Sequence, residues 1–251
     1  MEFVKMEGLG NDFVVLEGPL TLGRDEVALI CDRRRGVGAD GVLVVERLGP
    51  QRVGMVYWNA DGGAAEMCGN GLRCVARFAL DRGWSDGGPF SVETPVGPRQ
   101  AMIEGEDVTV ELGPVEVAGT PVSLAGLELV PVAVGNPHAV AFVPDPAVAS
   151  VAAQGGVVEN DELFPGGTNV EFATVRDPEN IELRVWERGV GETLACGSGA
   201  AAAVAVARRR GEVGDRVTVH LPGGPLLVEL RGDTAWLTGP AKTVYRGALP
   251  D

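Results

Sequence analysis

The sequence predicts an α+β fold of two homologous, pseudo-symmetric halves, each a curved, barrel-like mixed sheet around a central helix. Three observations carry this expectation. A strand, a turn, a cysteine and a helix recur in one order: residues 53–58, 59–63, Cys68 and 72–82, then residues 181–186, 187–189, Cys196 and 200–207. The spacing recurs as well, since Asn59 to Cys68 and Glu187 to Cys196 each span nine positions. Finally, residues 200–207 are all alanine or valine, and a helix without a polar face is buried on every side.

Taken in order, residues 3–6 and 13–16 read as strands joined by the tight turn Glu7-Gly8-Leu9-Gly10-Asn11-Asp12. Helical spacing covers residues 25–35, with Val27, Ile30 and Cys31 on one side, which makes Cys31 a small core residue. A glycine-rich turn over residues 35–41 precedes an apolar strand at 42–45. In the next strand Val53, Met55, Tyr57 and Asn59 share one face by period-2 alternation, as do Ile181, Leu183, Val185 and Glu187 in the second copy. Trp58 and Trp186 fall on the opposite face. A carboxylate on the apolar face of a strand is costly without a partner, which makes Glu187 a site candidate on physical grounds. Further strands are expected at residues 91–94, 108–112, 129–134, 139–143, 217–221 and 226–230. The repeat reaches upstream, because Gly10-Asn11 returns as Gly135-Asn136 at an offset of 125, beside 128 for the cysteines. The halves are expected over residues 1–114 and 115–240, joined around Gly113 to Leu124, with a ligand in the cleft between them.

Composition narrows the partner. The 251 residues suffice for a sizeable core, and 45% hydrophobic with 22% charged residues is ordinary for a soluble globular protein. A net charge of -14 opposes binding to nucleic acid or to an anionic membrane surface, which leaves a small molecule. No apolar run reaches membrane-spanning length and the amino terminus lacks a signal pattern, so a cytoplasmic location is expected. There the four cysteines, Cys31, Cys68, Cys74 and Cys196, are reduced thiols. With no CxxC pair and two histidines, no metal site is expected. Lysine occurs only as Lys5 and Lys242, neither in a Schiff-base context, and no phosphate loop is present, so no cofactor is expected. Five of the seven asparagines, Asn11, Asn59, Asn70, Asn136 and Asn169, lie in Gly- or Pro-rich turns. One alone would hold a turn; five together suggest amides presented to a polar ligand.

The two cysteines supply the chemistry. Each stands at the mouth of a helix, where the dipole and unpaired N–H groups acidify a thiol. The glycines after them, in Cys68-Gly69-Asn70-Gly71 and Cys196-Gly197-Ser198-Gly199, bare backbone amides suited to a carboxylate. Two such thiols facing each other would remove a proton from one side of a carbon and return one on the other, as a racemase or epimerase does without a cofactor.

At these residues the chain resembles the diaminopimelate epimerase family, over nearly its whole length. The matching motifs are Lys5-Met6-x-Gly8-Leu9-Gly10-Asn11-Asp12-Phe13, Asn59-Ala60-Asp61-Gly62 and Met67-Cys68-Gly69-Asn70-Gly71-Leu72-Arg73-Cys74. Downstream they are Gly135-Asn136-Pro137-His138, Thr168-Asn169-Val170 and the run from Glu187 to Gly199. The resemblance implies that Cys68 and Cys196 are the acid/base pair acting on LL- and meso-diaminopimelate. It implies that Asn11, Asn59, Asn136, Asn169 and Arg188 hold the substrate, and that the amides of Gly69, Asn70, Gly197 and Ser198 bind the carboxylate at the reacting carbon. His138 and Glu187 would tune the thiols, with Glu187 also touching substrate. It further implies a homodimer, and a carboxy-terminal segment, 241–251, that rejoins the first half. Three positions depart from the pattern: Glu7 where His is common, Gly41 where some relatives place a substrate-contacting Gln, and Ser198 where Thr is frequent. The nearest alternative is a proline or hydroxyproline racemase, whose small pocket would not need Arg188 and several asparagines. A dithiol redox protein would need a resolving cysteine at CxxC spacing, and a plain binding protein would need neither thiol.

Overall fold

The computed structural model describes residues 1–65 and 68–249. Met67 of the first cysteine motif and the last two residues of segment 241–251 lie outside the described residues. The chain forms two compact units, Met1–Val110 with Gly239–Asp251, and Glu111–Thr238.

The first unit opens with the hairpin β1 (Glu2–Gly8) and β2 (Asn11–Glu17), followed by α1 (Arg24–Cys31). Strands β3 (Gly41–Gly49), β4 (Arg52–Asn59) and the short β5 (Ala64–Ala65) lead to α2 (Gly69–Asp81). Strands β6 (Phe90–Thr94), β7 (Gly97–Glu104) and β8 (Asp107–Pro114) follow, and the chain passes into the second unit within β8. There β9 (Glu116–Val117), β10 (Val122–Leu124), β11 (Leu127–Ala133) and β12 (Pro137–Phe142) precede α3 (Val151–Glu159). Next come β13 (Asn169–Asp177), β14 (Asn180–Glu187), β15 (Gly191–Thr193) and α4 (Gly197–Arg209). Strands β16 (Arg216–Leu221), β17 (Gly224–Arg231) and β18 (Thr234–Pro240) complete that unit, and β19 (Lys242–Ala248) belongs to the first again.

The units repeat one topology. β2 pairs in parallel with β3, β3 antiparallel with β4, and β4 in parallel with β6. β12, β13, β14 and β16 repeat that series in the same senses. Each sheet curls around its own helix: α2 packs against β1, β2, β3, β4 and β7, and α4 against β9, β11 to β14, β16 and β17. Ala200 to Ala207 are all buried, as an alanine-rich helix with no polar face requires. Strand parity holds too, for Val53, Met55, Tyr57, Ile181, Leu183 and Val185 are buried.

Two helices differ from the sequence reading. The helix expected to reach Arg35 stops at Cys31, because the Asp32 carboxylate accepts from the N–H groups of Arg34 and Arg35 and turns the chain. Helix α3 was absent from the expectation, since Gly155 and Gly156 weaken its helical signal. Packing supplies the reason for one glycine: a Cβ on Gly155 would lie 2.5 Å from Trp186 Cγ.

Candidate active site

Cys68 is the residue before the first turn of α2, in extended conformation, and its carbonyl accepts the first helical hydrogen bond from Leu72 N–H at 2.8 Å. Cys196 holds the same place on α4, with Ala200 N–H donating to its carbonyl at 3.0 Å. Both helices have thirteen residues, so each thiol meets a comparable dipole. What surrounds the sulfurs differs.

In the first unit Asn11, Cys68 and Asn70 come together. Cys68 Sγ donates to Asn11 Oδ1 at 3.7 Å, and Asn70 Nδ2 donates to the same oxygen at 3.2 Å. Asn11 Nδ2 donates to Asp40 Oδ2 at 2.8 Å. Arg73, fully buried, donates from Nη2 to Asn70 Oδ1 at 2.9 Å and from Nε to the Pro240 carbonyl at 3.3 Å. Burial pulls its guanidinium below its usual value, and among the described residues its Nη1 lacks a hydrogen-bond partner. Behind Asn11 lies a charged network. Asp12 accepts from Arg33 at 2.7 and 3.0 Å and from Lys5 at 2.5 Å, and Arg33 also holds Asp40 at 2.8 Å. Burial pushes the Asp12 carboxyl up, but Arg33 and Lys5 outweigh it and hold the group at about 2.

Two of the departures from the family pattern have local explanations. Glu7 accepts from Gly10 N–H at 3.0 Å and closes the β1–β2 turn. At Gly41 a Cβ would lie 2.5 Å from the Trp58 carbonyl and 2.6 Å from the Tyr57 ring, so no side chain fits there. Asn59 is exposed at the end of β4, where its N–H donates to the Gly63 carbonyl at 2.9 Å.

In the second unit Cys196, Glu187 and Ser198 form one group. Ser198 Oγ lies 3.5 Å from Cys196 Sγ, and Glu187 both hydrogen-bonds with Cys196 and accepts from Thr193 Oγ1 at 2.5 Å. Burial raises the Glu187 carboxyl above its ordinary value. Burial, then the charges of Glu187 and Glu171, push the Cys196 thiol well above its own. His138 lies between two oxygens, with Nδ1 at 2.6 Å from Glu171 Oε1 and Nε2 at 2.9 Å from Asn136 Oδ1. Asn169 is buried and tied to backbone, donating to the Pro137 carbonyl at 2.9 Å and accepting from Arg188 N–H at 2.9 Å. The exposed Arg188 donates to the Gly166 carbonyl at 2.9 Å and lines a cavity of about 560 Å³ with Glu159, Phe164 and Gly189. Glu159 orders that turn by accepting from Trp186 Nε1 and Gly189 N–H, both at 2.7 Å.

Sequence reasoning missed Arg73, Asp40, Thr193 and Glu171 as parts of these groups. Arg73 carried a signal, being a cation in a helix that is otherwise largely apolar. So did Glu171, which shares a strand face with Asn169 by parity.

Cys31 lies within electrostatic reach of Lys5, Asp12, Asp40 and Arg33, and Cys74 within reach of Arg73 and Cys68. Cys31 and Cys74 are buried thiols raised by desolvation, Cys31 to about 11. Among the described residues no three His, Cys, Asp or Glu side chains are grouped to hold a metal, and no helix is long and apolar enough to cross a membrane.

Solved structures share this architecture. A probable proline racemase from Agrobacterium radiobacter superposes with a TM-score of 0.75 at 18% identity, covering 99% of this chain and 92% of that one. A phenazine biosynthesis protein from Enterococcus faecalis gives 0.77 at 14% identity, covering 99% of each chain. The fold is therefore that of the two-halved racemases, epimerases and phenazine biosynthesis proteins. Within it, the family model for diaminopimelate epimerase matches residues 3–118 and 130–244. The diaminopimelate epimerase of Desulfitobacterium hafniense is 42% identical over 277 aligned residues, covering 99% of this chain and 98% of that protein. That of Moorella thermoacetica is 40% identical, covering 100% and 99%. The chain belongs to the diaminopimelate epimerase family.

Proposed function

We propose that the protein interconverts LL- and meso-diaminopimelate by two-base proton transfer, with Cys68 and Cys196 on opposite faces of the reacting carbon. The observation that carries this reading is the repeat itself: each unit sets one thiol at the mouth of a buried helix, at the same offset from its strand. One sulfur, as thiolate, takes the α-proton while the bonding electron pair stays on carbon. The substrate carboxylate spreads that charge among the amides of Gly69, Asn70, Gly197 and Ser198. The other sulfur, as thiol, gives its proton to the opposite face, so the enzyme ends with the two sulfurs' protonation exchanged. Burial and the carboxylates of Glu187 and Glu171 favour Cys196 as the thiol. Asn11, Asn59, Asn136, Asn169 and Arg188 hold the remaining polar groups of the substrate. No cofactor enters this scheme. Of the two lysines, Lys5 is bound to Asp12 and to the Gly38 carbonyl, an arrangement that leaves no free amine for a Schiff base there. The same reading makes the protein a cytoplasmic homodimer serving lysine and peptidoglycan-precursor synthesis; sedimentation tests the dimer.

The test is exchange of the α-hydrogen and change of configuration with LL-diaminopimelate, beside proline, without added cofactor. Cys68→Ala and Cys196→Ala are each expected to abolish epimerisation, while Cys31→Ala and Cys74→Ala retain it. Near-normal turnover in either of the first two variants would refute the two-base scheme, and turnover of proline alone would reassign the substrate.

A further inference from the structure

Register identifies equivalent positions in the two units. Phe13 lies opposite Gly41 across β2 and β3, and Val15 opposite Leu43. His138 lies opposite Asn169 across β12 and β13, and Val140 opposite Glu171. His138 and Glu171 thus take the places that Phe13 and Leu43 hold in the first unit. The glycine three residues after each cysteine reports the same match. A Cβ on Gly71 would lie 3.4 Å from Leu43 Cδ2, and one on Gly199 would lie 2.7 Å from Glu171 Oε1 and 3.4 Å from Cys196 Sγ. An apolar pair in one unit is a buried histidine–glutamate pair in the other.

Burial decides where the protons of that pair reside. Both side chains are 0% exposed, and among the described residues Glu171 Oε2 has no hydrogen-bond partner. A pair with no access to water is costly unless its net charge is zero. Two neutral arrangements leave no hydrogen without a partner, since an acid hydrogen on Oε2 would find no acceptor among the described residues: a carboxylate with an imidazolium, or a carboxylic acid donating from Oε1 to a neutral ring. Both leave a hydrogen on Nε2. That hydrogen is donated to Asn136 Oδ1 at 2.9 Å, so the Asn136 NH₂ group faces away from the pair. Asn11, its counterpart, is held the other way round. Asp40 can only accept, and Arg73 can only donate to Asn70 Oδ1, which obliges Asn70 Nδ2 to donate to Asn11. Asn11 therefore presents its oxygen beside Cys68, and Asn136 has its nitrogen free to donate.

We propose that Glu171 is a positioning residue which, through His138, locks Asn136 as a hydrogen-bond donor to an anionic oxygen of the substrate, opposite in sense to Asn11. This rests on the reading of Asn136 as a substrate ligand. Without Glu171 the ring is free to carry its hydrogen on Nδ1, Asn136 turns to donate to Nε2, and a carbonyl oxygen meets the substrate's carboxylate.

The full-length protein provides the test. His138 and His220 are its only histidines, so isotope-labelled ring nitrogens give two resolvable imidazoles by NMR. In the wild type His138 should carry a hydrogen on Nε2. Glu171→Gln preserves that state, because its amide can donate to Nδ1, and its KM should stay within about threefold of wild type, while kcat answers to the charge removed beside Cys196. Glu171→Leu, which copies the first unit, should lose the Nε2 hydrogen and about 10²-fold in kcat/KM, chiefly through KM, as expected for a lost hydrogen bond to a charged group. The double variant His138→Phe/Glu171→Leu removes both buried polar groups, which guards against a single variant that does not fold. It should lose about as much as Glu171→Leu and no more, because the two residues act as one unit. A Gln variant whose KM rises as far as the Leu variant's, a double variant with near-normal kcat/KM, or a wild-type His138 without the Nε2 hydrogen would overturn the proposal. If the protein does not epimerise diaminopimelate but His138 loses its Nε2 hydrogen in Glu171→Leu, the activity reading fails and the Glu171–His138 lock stands.

Discussion

Glu187 ends β14 on the face that Ile181, Leu183 and Val185 bury, and Thr193 and Cys196 are the partners that burial there requires. Its negative charge is one reason the Cys196 thiol is held up, so the sign of a substitution follows directly. Glu187→Gln should lower the thiol, and modification of Cys196 by a small thiosulfonate should begin at lower pH than in the wild type. Turnover should fall by roughly 10²- to 10⁴-fold, the usual contribution of a positioned acid or base, while the thermal midpoint moves little. Normal turnover with a collapsed midpoint would make Glu187 a structural residue only. A second prediction concerns Asp12, whose folded value of about 2 lies below the ordinary 3.8. Its network stabilises the fold above pH 3.8 and loses that contribution as pH falls towards 2. Asp12→Asn should cost roughly 1–2 kcal/mol at neutral pH, allowing for partial solvent screening, and the difference from wild type should vanish in acid unfolding curves. Glu187 was legible because its parity was visible within one strand. Glu171 was harder, since only the pairing of β13 with β12 on one side and β14 on the other encloses it.

The two central helices are equivalent elements with different tolerances. Gly71 and Gly199 each stand three residues after a cysteine, in the first turn of α2 and α4. Alanine is favoured over glycine in a helix by about 1 kcal/mol. At Gly71 the added Cβ would make ordinary contact, 3.4 Å from Leu43 Cδ2, so Gly71→Ala should be neutral or stabilising by up to about 1 kcal/mol. At Gly199 the Cβ would press on a buried carboxylate that cannot move away, and Gly199→Ala should cost about 1–3 kcal/mol and most of the activity. Denaturant midpoints of the two variants decide the matter; equal effects would mean that Glu171 yields freely. The helices themselves were readable from composition and from the cysteine spacing. Helix α3 was not, because Gly155 is there for the Trp186 ring, a tertiary contact that carries no local signal. The early end of α1 likewise follows from an Asp32 side chain competing for backbone, which apolar periodicity alone does not register.

At the scale of the whole molecule, the recurrence of Gly-Asn and of the cysteine motifs made the two-fold plan legible before any coordinates. The passage of the chain between units was less so, because β8 and β18 each run through a boundary without a break in their strand pattern. One pairing has a consequence in time. Glu2 lies opposite Ala248, Val4 opposite Arg246, and Leu249 N–H donates to the Met1 carbonyl at 2.7 Å. Contacts of such long sequence separation form late, because the loop they close must be paid for first in entropy. On the ribosome β1 emerges early and must wait for nearly the entire chain before β19 arrives, whereas Glu111–Thr238 is one continuous stretch. The later-made unit should therefore mature first. Chains stalled after residue 240 should yield a protease-resistant second unit and a first unit still open to digestion; equal resistance of both would reverse that order.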